Sequence, residues 1–134
     1  MDDTNDLTGV KVMVIDDSNT IRRSAEIFLT QSKCEIILAV DGFDAMAKII
    51  DNHPDIIFVD IMMPRLDGYQ TCTLIKRNSN FQATPVIMLS SKDGLFDQAR
   101  GRMVGSDEYL SKPFSKESLL NVVKNYALKP KTKM

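Results

Sequence analysis

The sequence predicts an α/β domain built on a doubly wound, five-stranded parallel sheet, and three observations carry that prediction. Five short apolar runs rich in β-branched residues alternate with segments of helical spacing. The first and third runs are continuously rather than alternately apolar, the pattern of strands covered on both faces. Turn-forming and capping residues separate the segments throughout.

The first run, Val10 to Ile15, ends in the paired acids Asp16 and Asp17, and Ser18 or Asn19 can cap the helix that follows. Ile21, Ala25, Phe28 and Leu29 give that helix its apolar stripe. A second strand spans Glu35 to Ala39, and Phe43, Ala47 and Ile50 supply the helical spacing after it, closed by His53-Pro54. The third strand, Ile56 to Asp60, runs into a loop marked by Pro64 and Asp67-Gly68, and a third helix follows. Pro85 to Leu89 and a weaker run, Glu108 to Leu110, complete the sheet; a helix from about Ser115, with the box-like start SKES, to about Leu128 ends the domain. Residues 1–8 and the basic stretch 129–134 are expected to be flexible, leaving residues 9–128 as one domain.

Composition narrows the function. The chain has 134 residues, 43% hydrophobic and 26% charged, enough for one sizeable core. A net charge of -1 gives no electrostatic footprint for nucleic acid. Cys34 and Cys72 can make neither a disulfide framework nor a four-ligand zinc site, which fits two thiols in a reducing compartment. No apolar run is long enough for a membrane span, and the acidic start is unlike a signal peptide, so the expected location is cytoplasmic.

The chemistry lies at the strand ends. Open α/β sheets bind ligands beyond the carboxyl ends of their strands where strand order reverses, which in the flavodoxin-like (βα)5 order 2-1-3-4-5 lies between strands one and three. Asp16 and Asp17 end strand one and Asp60 ends strand three, so three carboxylates would share one crevice. At about 4 Å and an effective dielectric near 20, each pair of like charges costs roughly 4 kcal/mol. A counter-charge is required. Mg²⁺ suits oxygen ligands and keeps waters that a phosphate can replace, and Lys112, after strand five, offers a second positive charge. Ser90, at the end of strand four, adds a hydroxyl. Such a set fits phosphoryl transfer, with a carboxylate attacking a phosphoryl donor to give an aspartyl phosphate.

The segments VIDDS, VDIMMPRLDGYQ, LSS and SDEYLSKPF, in this order and spacing, resemble the receiver domains of two-component response regulators over about Val10 to Leu128. That resemblance implies that Asp60 is the phosphoacceptor. It also implies that Asp17, Asp60 and the backbone carbonyl of Met62 bind Mg²⁺ directly while Asp16 holds a metal-bound water. Lys112 is then the lysine that pairs with Asp60 and later with the phosphoryl group, ahead of a cis bond to Pro113, and Ser90 and Tyr109 are the switch pair. In such a switch Ser90 moves toward the phosphoryl group and Tyr109 turns inward, reshaping the surface of helix four, strand five and helix five. The implied partners are a histidine kinase, of the chemotaxis-like kind, and a downstream protein that docks on this surface. The longer stretches DDSNTIRRSAE, FVDIMMPRLDGYQTC and TPVIMLSSKDGLFDQARGRMVGSDEYLSKPFSKESL are similar to the chemotaxis-like receivers of type IV pilus systems that control twitching motility.

Met62 and Lys92 depart from commoner family choices beside the path of the hydrolytic water, which bears on the lifetime of an acyl phosphate. His53, the one histidine, reads as a helix-end residue and not a phosphoryl relay; Arg22 and Arg23 read as a solvated helix face. The competing function is a Mg²⁺-dependent phosphohydrolase with an aspartyl-phosphate intermediate. Against it, enzymes of the haloacid-dehalogenase type carry DxD after strand one where this chain has DDS, and no extra segment is available to enclose a substrate.

Overall fold

The structure, a computed structural model, describes residues 6–91 and 95–128. Lys92 and the stretches 1–5 and 129–134 lie outside the described residues. Strand and helix alternate as β1 (Lys11–Ile15), α1 (Asn19–Gln31), β2 (Glu35–Ala39), α2 (Gly42–Asn52), β3 (Ile56–Asp60), α3 (Gly68–Arg77), β4 (Val86–Ser90), α4 (Leu95–Met103), β5 (Glu108–Ser111) and α5 (Lys116–Ala127). All strand pairs are parallel, in the order β2-β1-β3-β4-β5.

Burial follows from that order. The central strands β3 and β4 are buried at every position, whereas the edge strands β2 and β5 are mostly half-buried. One apolar cluster gathers Val12, Val14, Phe58, Ile87 and Leu89 against α1 and α5; the other gathers Met13, Ile15, Ile57, Val59 and Met88 against α2 and α3. Alternate residues of each strand therefore feed opposite layers, which is why these strands lack a polar face.

Local chemistry sets the element ends. Ser18 is the cap of α1, accepting from the Ile21 N–H, and Asp41, Asp67 and Ser115 cap α2, α3 and α5 in the same way. His53 closes α2 in the left-handed conformation, its N–H donating to the Ile49 carbonyl. Strand β4 begins at Val86, one residue after the start expected from sequence, and includes Ser90, which pairs with Ser111. Pro85 has no N–H to give the ladder.

Two expectations change. Leu7, placed by sequence in a flexible start, is 1% exposed within the α1/α5 cluster, and its N–H donates to the Ser32 carbonyl at 2.8 Å. On α2, the spacing of Phe43, Ala47 and Ile50 marks the outer face: all three are exposed, while Ala45 and Ile49 face the core.

Candidate functional site

At the β1/β3 switch point, Asp16, Asp17 and Asp60 each present an oxygen within 4.8 Å of the others. Asp16 and Asp60 are buried and Asp17 is exposed. Asp16 Oδ1 accepts the Ser18 N–H at 2.9 Å, so the carboxylate is held by the same turn that starts α1. Its Oδ2 accepts from Lys112 Nζ at 3.1 Å. The same ammonium donates to Asp60 Oδ1 at 3.0 Å, and that oxygen also accepts the Met62 N–H at 3.3 Å.

The charges are unevenly matched. Burial pushes the Asp60 carboxyl up to about 6; the bond from Lys112 opposes this and the neighbouring Asp16 charge reinforces it, with the Met62 N–H a further opposing influence. Burial also disfavours the Lys112 ammonium, but the bonds and charges of Asp60 and Asp16 outweigh it and hold this lysine above its ordinary value. Among the described residues one ammonium is shared by two buried carboxylates, and their charge balance has room for a cation.

The Lys112 N–H donates to the Ser90 carbonyl at 2.7 Å, which ties the lysine to the end of β4; the Lys112–Pro113 bond is cis. Ser90 is buried at the end of β4, beside the register position Asp60↔Leu89. Tyr109 sits on β5 opposite Met88, with its hydroxyl already buried and without a hydrogen-bond partner among the described residues. The Met62 side chain, by contrast, is 71% exposed.

Three contributors were not legible as such. Arg22 is half-buried; its guanidinium donates to the Asp16 carbonyl at 2.6 Å and to the Asn19 side chain, so it braces the acidic turn and is not part of a solvated face. Arg23 does lie on the surface, paired with Glu26. Gly68 brings α3 against the acceptor: a Cβ there would lie 2.4 Å from the Asp60 carbonyl oxygen and 2.8 Å from Ile61 Cα. Tyr69, next along, donates from its hydroxyl to Asp97 on α4. The Asp-Gly pair reads from sequence as a turn, and nothing local marks the contacts of Arg22 or Tyr69.

A parallel sheet of this order, with acids, a lysine and a hydroxyl gathered at its switch point, is the architecture of a receiver. The chain belongs to the response regulator receiver domain family, whose model matches residues 12–124. Among individual proteins, it is 73% identical over 116 residues to Protein PilG of Pseudomonas aeruginosa, covering 87% of this chain and 86% of that one. Its fold is similar to that of the Vibrio cholerae chemotaxis protein CheY4, with a TM-score of 0.84 at 31% identity over 87% of this chain and 98% of the other. It is also similar in fold to the receiver domain of a sensor histidine kinase from Pseudomonas aeruginosa PAO1, described with a magnesium ion in its active-site cleft, at a TM-score of 0.83, 24% identity and coverages of 91% and 100%.

Proposed function

We propose that this response regulator accepts a phosphoryl group on Asp60 from a histidine kinase and, in doing so, changes a protein-docking surface that controls type IV pilus twitching motility. The observation that carries the acceptor assignment is the sharing of Lys112 between Asp16 and Asp60, with Asp17 alongside. Asp16, Asp17, Asp60 and the backbone carbonyl of Met62 would hold Mg²⁺; three oxygen donors this close form a hard-cation donor set with an excess of negative charge. The bound ion would supply charge neutralisation for the phosphoryl oxygens.

Asp60 supplies the attacking oxygen. As the new P–O bond forms, the P–N bond to the donor imidazole breaks, and the nitrogen keeps that electron pair. Lys112 is placed to turn from the carboxylate to a phosphoryl oxygen. The acyl phosphate carries about -2 where the carboxylate carried -1, so donors are drawn in, and Ser90 is the nearby hydroxyl for that role. No substrate turnover is required of such a switch, only its own phosphorylation and slow hydrolysis.

The docking surface is assigned to α4, β5 and α5, where Met103 stands 85% exposed. The pilus assignment rests on the long stretches similar to pilus-system receivers and is supported by the identity to Protein PilG. Among the described residues no helix is long and apolar enough to cross a membrane.

Incubation with Mg²⁺ and acetyl phosphate, followed by mass spectrometric mapping, should place the added phosphate on Asp60. No modification there, or equal modification of Asp60→Ala, overturns the assignment, and rapid turnover of many phosphate esters would favour the phosphohydrolase. For the pilus role, a twitching strain lacking its own copy should regain surface motility with the wild-type chain and not with Asp60→Asn. Equal rescue by both refutes phosphorylation-dependent control.

A further inference from the structure

Of the described side chains of helix α4, from Asp97 to Met103, only Gly101 is buried, so this stretch has little apolar burial to fix its position. The specific contacts of this stretch therefore weigh heavily.

The most specific comes from the first turn of α3, packed against the acceptor. The Gly68 N–H donates to the Ile61 carbonyl at 3.0 Å, and the glycine backbone lies directly against that of Asp60, so the next residue, Tyr69, is tied to the acceptor strand. Its ring is buried and its hydroxyl lies 3.3 Å from Asp97 Oδ1 and 3.4 Å from the Asp97 carbonyl oxygen. From one turn further along α4, the Arg100 guanidinium lies 4.3 Å from the Tyr69 ring centroid. Tyr69 and Arg100 share the wall of a cleft of ≈ 460 Å³ with Met62 and Met63, immediately beyond the acceptor.

This contact coexists with the inward arrangement of Tyr109, whose hydroxyl is buried. Burial first, and then Asp97, raise the Tyr69 phenol above its ordinary value; Tyr109 is near enough to add to that effect and Arg100 opposes it.

We propose that Tyr69 is a positioning residue of the switch: bonded to Asp97 and covered by Arg100, it latches α4 to the first turn of α3, beside the acceptor, in the arrangement with Tyr109 inside, and so favours phosphoryl uptake at Asp60. The proposal rests on the acceptor assignment above. It adds a direct mechanical link from the backbone beside Asp60 to α4, separate from Ser90 and Tyr109.

Tyr69→Phe removes the hydroxyl and keeps the ring. Titration with beryllofluoride and Mg²⁺, followed by amide chemical shifts, should show binding weakened by about three- to tenfold, the ratio expected for one hydrogen bond of ordinary net strength. Uptake from acetyl phosphate should slow by a similar factor, with little change in melting temperature. In an Asp97→Ala background the same substitution should have no further effect. Unchanged or tighter binding by Tyr69→Phe, or an equal loss with and without Asp97, overturns the latch. If the wild-type chain takes up neither beryllofluoride nor phosphate, the acceptor assignment fails, and the latch fails with it; a defect confined to the variants concerns the latch alone.

Discussion

Lys112 Nζ lies 3.0 Å from Asp60 Oδ1 although 52 residues separate them, and among the described residues it is the one ammonium that the two buried carboxylates share. Lys112→Met would strand both acids in a dry pocket. Removing one partner of a buried ion pair costs about 3–5 kcal/mol because the remaining charge loses its compensation. Chemical denaturation of the metal-free variant at pH 7.5 should show a loss of that order. The deficit should shrink at pH 5, where Asp60 is protonated.

The wild-type chain has its own pH signature. Asp60 titrates at about 6 against an ordinary carboxylate value of 3.8, so the folded state holds this proton more tightly than the unfolded one. The stabilisation is fully present below about pH 4 and is lost as pH rises through about 6. Relative to Asp60→Asn, metal-free wild type should therefore lose about 3 kcal/mol of stability across that window, about 2 kcal/mol of it between pH 4.5 and 7.5. Paired denaturant titrations from pH 4.5 to 7.5 read the difference, and a flat difference curve would contradict it.

Mg²⁺ should act in the opposite sense. A cation bound by the folded acids alone stabilises by mass action, about 1.4 kcal/mol at tenfold excess over its dissociation constant, and it pulls the Asp60 proton off. Melting temperature should climb with Mg²⁺ for wild type and far less for Asp17→Asn. Asp17 is exposed, so its substitution tests the metal with little cost to packing.

The acidic crevice was legible because its parts obey a rule of topology. Continuous apolarity in Val12 to Ile15 and Ile56 to Val59 marks strands covered on both faces, and the acids directly after them fall where the strand order reverses. Other features depend on distances that no local pattern encodes. Arg22 reaches back to the Asp16 carbonyl six residues away, and Tyr69 reaches Asp97 across 28 residues. A motif locates a turn, but the contacts of the side chains on that turn are tertiary.

Gly68 illustrates such a turn. A Cβ at this position would sit 2.4 Å from the Asp60 carbonyl oxygen, and because the obstacle is backbone it cannot swing away. Gly68→Ala must move α3 relative to β3. The expected cost is about 1–3 kcal/mol, as for other overpacked sites, and phosphoryl uptake should fall at least as sharply, because the added methyl presses on the backbone of Asp60 and Ile61. Melts and acetyl phosphate labelling measure the two effects, and full activity in a stable variant would show that the loop adapts.

On α2 two apolar sets compete for the inward face. Phe43, Ala47 and Ile50 recur at helical spacing, but so do Ala45 and Ile49, and periodicity alone cannot choose between them. The structure buries Ile49 completely and leaves Ile50 59% exposed. Ile49→Ala should therefore cost about 2–5 kcal/mol through lost burial and the cavity left behind. Ile50→Gln, one residue on, should change stability by no more than about 0.5 kcal/mol, since it opens no cavity and glutamine is a good helix former. Phe43→Gln also forfeits the Arg65 guanidinium, 5.2 Å from its ring centroid, an exposed contact worth about 0.5–1 kcal/mol. Urea melts of the three variants rank the faces directly. An Ile50→Gln loss as large as that of Ile49→Ala would place the helix the other way round.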